Sequence, residues 1–279
     1  MGVRNEILDS TLKAFEKGYY HVSGKKIEIM LDKGKYKSAV TYLPYDVYKN
    51  MEKYAEFKKK GTKCNVSVSS QDSLEAAKEM LDSTVGGRIA VLNFANPLSP
   101  GGGVRRGAKA QEETLCLRSS LLKSLESMNA NKYYEYNHEH RTFAGSDAIV
   151  LSENVEVIKD SNYKFLEKGF LVSVISCAAP MVSPFTHRLE DTTDEQMEVL
   201  LYRRIVGVLT TLICHNYRNV ILGAWGCGAF SNNPVIIAKL FKRAFEEIGV
   251  DEYFDNIHFA ILAQKDTYNF DVFKSILLQ

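Results

Sequence analysis

The 279-residue sequence predicts an α/β fold, and three observations predict it. From Cys64 onward, short apolar runs of strand length alternate with amphipathic segments of helix length. The same alternation resumes in the second half of the chain, and no stretch rich in Pro, Gly and Ser separates the two halves. Length alone permits one or two domains. The missing linker favours a single domain over 1–279, with an N-terminal extension of helix and hairpin over 1–63 and a core over 64–279.

In the extension, residues 6–20 carry helical spacing, and 26–30 and 38–43 alternate like the arms of a hairpin around Asp32-Lys33-Gly34. The lysine run at 58–60, beside Gly61, reads as a solvated turn in preference to a basic ligand patch. The core opens with a strand at 64–69, a helix at 72–81 and a strand at 88–94, RIAVLNF. A strand then covers 170–180, a long helix 194–216, and the strand NVIL at 219–222 runs into a glycine-rich loop. A helix over 234–248, a strand from Ile257 and a closing helix over 273–277 complete the pattern. The tyrosine-rich segment at 131–140, NKYYEYNHEH, reads as a surface loop or cap in preference to a metal site.

Hydrophobic residues make up 45% and charged residues 25% of the chain, the balance of a globular protein with a sizeable core. With a formal net charge of +1 there is no global field to draw the protein to nucleic acid or to an anionic membrane, so an anionic ligand has to be held locally. The N-terminus lacks the apolar core of a signal peptide, and no stretch approaches the roughly 20 apolar residues of a membrane span. Cytoplasmic location is the expectation. Glu6 stands where a myristoylation signal has Ser or Thr. The five cysteines form no C-x-x-C pair, so neither a disulfide framework nor a zinc site is indicated, and no metal or cofactor is expected.

Two glycine-rich segments each follow an apolar strand, where the ligands of α/β sheets bind. The first contains Asn96, then Gly101, Gly102 and Gly103, a basic stretch, and Gln111-Glu112-Glu113 opening a helix. Glycine lets a main chain approach a ligand with no Cβ in the way, so this loop is suited to a sugar or a phosphate. Carboxylates at a helix start have a plainer role in offsetting the macrodipole. Their position seven residues after three glycines points instead to chemistry. Adjacent residues on a helix project about 100° apart, so Glu112 and Glu113 are expected to take separate roles.

The second segment runs from Gly223 to Pro234 and includes Gly226, Cys227, Gly228, Ala229 and Phe230. Its N–H groups and the following helix start suit a diphosphate. Phe230 is the better candidate for ligand contact, and Trp225 is as well explained as core. Neither G-x-G-x-x-G nor a phosphate-loop motif is present in this segment.

Together, Gly101-Gly102-Gly103, seven residues and Gln111-Glu112-Glu113 resemble the signature of the poly(ADP-ribose) glycohydrolases, in the short microbial form of that family. The resemblance runs to the last strand. It implies a macrodomain-like mixed β-sheet with helices on both faces and an ADP-ribose cleft at the strand ends. It also implies hydrolysis of ribose–ribose bonds mainly from chain ends, ADP-ribosylated proteins as substrates, and a place in reversing ADP-ribosylation in the DNA damage response. Glu113 would be the acid-base and Glu112 would hold a hydroxyl of the distal ribose. Asn96 would contact the same ribose, and Gly226 to Phe230 would wrap the diphosphate. No residue matches the aromatic that stacks on adenine.

Such a reaction asks Glu113 to enter protonated although its helix start favours the ionised form; bound diphosphate, a charged Glu112 and desolvation are expected to outweigh that pull. Three other readings stay open: a hydrolase of another ADP-ribosyl bond, a non-catalytic ADP-ribose reader, and a cysteine hydrolase using Cys227 or Cys177 with His187 or His215. Both glutamates speak against the reader, and no motif supports the thiol nucleophile.

Overall fold

The computed structural model describes residues 2–32, 35, 38–84, 87–140, 144–182, 193–263 and 266–279. Nine strands are described: β1 Tyr19–Val22, β2 Lys25–Glu28, β3 Ala39–Tyr42, β4 Asn65–Ser69, β5 Ile89–Phe94, β6 Ile149–Lys159, β7 Phe165–Cys177, β8 Asn219–Leu222 and β9 Asn256–Ala260. The helices are α1 Val3–Lys17, α2 Pro44–Lys53, α3 Ser73–Ser83, α4 Gln111–Arg118, α5 Leu121–Leu125, α6 Met128–Glu139, α7 Asp194–Cys214, α8 Pro234–Ile248 and α9 Tyr268–Leu277.

Seven strands form one mixed sheet in the order β3-β6-β7-β5-β8-β9-β4. The pairs from β7 through to β4 are parallel, whereas β6 runs antiparallel to both of its neighbours, β3 and β7. The central strand β5 shows why helices cover both faces. Its Ala90 and Leu92 enter a core with Leu209 of α7 and Phe241 of α8, while Ile89 and Val91 enter a second core with Leu74 of α3 and Leu115 of α4. Successive side chains of a strand point to opposite faces, so a strand apolar at every position needs cover on both.

The expected hairpin is corrected. The strand expected at 26–30 pairs antiparallel with β1, not with 38–43, and β3 joins the edge of the main sheet against β6. Helix α1 stops at Lys17 because Gly18, at φ 85, ends it in the left-handed region and frees 19–22 to pair back. The turn predicted at Asp32-Lys33-Gly34 has Lys33 and Gly34 outside the described residues. The tyrosine-rich segment is likewise not a loop: it is α6, and Tyr133 and Tyr134 are core residues. Lys59 pairs with Glu252 at the surface, as the sequence suggested, but the Lys60 side chain is folded in, 5% exposed, against Asp255. Among the described residues no helix is long and apolar enough to cross a membrane, and no cluster of His, Cys, Asp and Glu is placed to hold a metal.

Candidate active site

A cleft of about 680 Å³ opens at the carboxyl ends of the parallel strands. Its wall takes Gln71 to Ser73 after β4, Phe94 and Asn96 at and beyond the end of β5, Ala224, Gly226 and Gly228 to Phe230 after β8, and Ala260 to Leu262 at the end of β9. Helix α4 points its first turn into this cleft and supplies both glutamates.

The two carboxyls sit in different surroundings. Glu112, 2% exposed, accepts hydrogen bonds from the Asn96 backbone N–H at 2.8 Å and the Asn93 side-chain amide at 3.2 Å. Burial pushes its pKa up to about 8, against the opposing pull of those donors. Glu113 is held by main chain: the N–H of Gly103 donates to Oε1 at 2.8 Å and that of Ala110 to Oε2 at 3.0 Å. The second bond is the backward half of a capping box, a glutamate at the third helical position satisfying the N–H before the helix. Residues 103–110 thus form a strap with both ends on one carboxylate.

Sequence spacing set the glutamates about 100° apart, but their side chains converge. A Cβ added to Gly102 would lie 2.6 Å from Glu113 Oε1 and 2.9 Å from Glu112 Oε2. Gly102 also has φ 58, a region side chains rarely adopt, so a glycine is required twice over. Gly101 is packed on Leu122, Cys116 and Val104. The three glycines are therefore not part of the cleft wall; they bring main chain against the carboxyls behind it.

Of the other residues singled out from sequence, Asn96, Gln111, Gly226, Gly228, Ala229 and Phe230 line the cleft, and Cys227 does not. Gln111 acts as a brace, accepting from Phe94 N–H and donating to the Leu92 carbonyl and the Ser73 hydroxyl. Asn96 folds its loop, its Oδ1 accepting from the N–H groups of Leu98 and Ser99. Gly226, at φ 76, packs where a Cβ would meet Ala179 and Asn232, whereas Gly228 has open space beside it. Trp225 is core, 1% exposed, and donates to the Cys177 carbonyl. Thiol catalysis is disfavoured, because burial raises Cys177 and Cys227 each to about 12. His215 is bound to the Tyr42 hydroxyl, and His187 lies outside the described residues.

Sequence reasoning missed Asn93 and Asp72. Asn93, fully buried on β5, bridges Glu112 to Ser176 on the neighbouring strand. A polar residue inside the apolar run RIAVLNF was the signal available. Asp72 caps α3 and pairs with buried Arg118 at 2.6 Å, fixing the cleft wall to the last turn of α4.

A mixed sheet with a strand-end cleft and two convergent carboxyls at a helix start defines a macrodomain-like hydrolase. Residues 9–160, more than half of the chain, match the model of the microbial-type PARG catalytic domain. The chain belongs to that family, the microbial-type poly(ADP-ribose) glycohydrolases, and is a glycosidase. It is similar to the crystal structure of poly(ADP-ribose) glycohydrolase from Thermomonospora curvata, with 27% identity over 98% of each chain and a TM-score of 0.86. The same enzyme bound to the inhibitor ADP-HPD matches with 28% identity over 98% of each chain and a TM-score of 0.84. The enzyme from Deinococcus radiodurans in complex with ADP-ribose matches with 26% identity, covering 88% of this chain and 96% of that one, with a TM-score of 0.77. The comparison with curated proteins gave no match.

Proposed function

We propose that residues 1–279 act as a single catalytic domain that removes ADP-ribose mainly from the ends of poly(ADP-ribose), including polymer carried by ADP-ribosylated proteins, with Glu113 as the acid-base. The observation that carries this reading is the convergence of Glu112 and Glu113 on Gly102 at the mouth of α4. The ADP-ribose and ADP-HPD complexes of its structural relatives support the ligand class.

In the proposed reaction Glu113 gives its proton to the 2′-oxygen of the leaving unit as the bond from that oxygen to the anomeric carbon breaks. The resulting carboxylate takes a proton from water as the water oxygen bonds to the anomeric carbon. One carboxyl returns to its starting state. Glu112 takes a different part from the one expected of it. With its pKa raised by burial to about 8, it is mostly neutral at pH 7. The two N–H groups of the strap fix the Glu113 carboxyl in place. A neutral Glu112 holds a ribose hydroxyl without repelling the diphosphate.

The test is incubation of wild type and Glu113→Gln with long poly(ADP-ribose), sizing the products over time, beside calorimetric titration with ADP-ribose. ADP-ribose accumulating from the start while long polymer persists is expected of wild type. Near-normal turnover by Glu113→Gln would remove Glu113 from the mechanism, and early appearance of mid-length fragments would remove the preference for ends.

A further inference from the structure

We propose that Arg106 and Lys109, on the strap over Glu113, form a subsite for the diphosphate of the ADP-ribose unit that leaves, and so favour polymer over substrates with an uncharged leaving group. The inference rests on the polymer-cleaving reading above and deepens it. Three observations carry it.

The first is position. Gly103 and Ala110 both bind the Glu113 carboxyl, and of the residues between them the segment from Ala108 to Ala110 lines the cleft, with Arg106 on the turn just before it. The second is rigidity. Val104–Arg106 form a single 3₁₀ turn with Val104 buried beneath it, closed by Gly107 at φ 80, and Ala108 N–H returns to the Gly103 carbonyl. The third is charge. Arg105 is neutralised by Glu126 at 2.5 Å. Arg106 and Lys109 are exposed, and among the described residues no carboxylate lies within ion-pair distance of either. Lys109 is also the one cation among the described residues that line the cleft.

The chemistry of the polymer supplies the anion. The leaving 2′-oxygen belongs to an adenosine whose 5′-carbon carries a diphosphate, so every cut inside polymer releases a dianion beside Glu113. With a net charge of only +1, the protein has no long-range field to hold that group, and two unpaired cations, Arg106 on the turn and Lys109 just beyond it, act locally.

The experiment compares kcat and KM of wild type, Arg106→Ala, Arg106→Lys and Arg106→Ala/Lys109→Ala on two substrates. One is long poly(ADP-ribose), and the other is ADP-ribose carrying a neutral aryl ether at the anomeric carbon of its distal ribose. Arg106→Ala is expected to lose about fivefold in kcat/KM on polymer, mostly through KM and less at high salt, with turnover of the aryl ether unchanged. Lysine at 106 should restore much of the loss, and removing Lys109 as well should deepen it. Equal losses on both substrates, or none on polymer, would overturn the subsite. Failure of wild type to release ADP-ribose from polymer would instead overturn the reading on which it rests.

Discussion

The two glycine-rich loops look alike in sequence and do different work. Gly101 and Gly102 are enclosed: a side chain at either would strike Leu122 and Cys116, or the carboxyls of Glu112 and Glu113. After β8 the loop is tight at Gly226 and open at Gly228, with Ala229 and Phe230 on the cleft wall. Glycine in the first loop lets main chain close on the two glutamate side chains; in the second it leaves main chain facing the cleft. Substitutions should separate the two roles.

Glu113→Gln has the largest expected effect, a fall in kcat on polymer of about 10³-fold, within the span of a lost general acid-base, with ADP-ribose affinity retained by calorimetry. Next is Gly102→Ala. The added carbon strikes both carboxyls and sits at φ 58, so kcat should fall roughly 10²-fold and the melting temperature should drop as well. Normal kcat in this variant would show that the carboxyls need no such confinement.

Glu112→Gln sharpens the difference between the glutamates through pH. Burial raises the folded pKa of Glu112 to about 8, so from about pH 4.5 to 8 the folded state keeps a proton that the unfolded state releases. Stability contributed by this site therefore falls as pH rises through that window, by as much as about 1.4 kcal/mol per unit. Melting temperatures across pH 5 to 8 should decline less steeply in Glu112→Gln than in wild type, and parallel curves would contradict the raised pKa. The smallest effect belongs to Gly228→Ala, where no atom lies within 4 Å of the added carbon. Its melting temperature should match that of wild type, since a substitution in open space changes stability by no more than about 0.5 kcal/mol, while the added carbon reaches into the cleft and should raise KM for polymer modestly.

What was legible in the sequence followed from local rules. Period-2 and period-3.6 patterning placed β4, β5, α3, α7 and α8, because burial on one or both faces writes itself into consecutive residues. The antiparallel partner β6 was not read, for its pairing with β7 includes register shifts and a turn at Asp160 to Lys164 that carries no glycine. Helix α6 was obscured because its buried tyrosines look polar at the hydroxyl and apolar at the ring.

The sequence by itself determined the alternating architecture, the pairing of a glycine run with a carboxylate-bearing helix start, and through that signature the family resemblance. Only the tertiary structure decided which strand completes the sheet edge, that Trp225 is core, and that two carboxyls set apart on a helix meet at one glycine. It also decided their chemical difference. Glu112 is raised by burial beneath Asn93 and Asn96, while Glu113 is held by a strap that arrives from ten residues upstream. Protonation is set by the dielectric and the donors around a group. Those surroundings are assembled from residues distant in the chain.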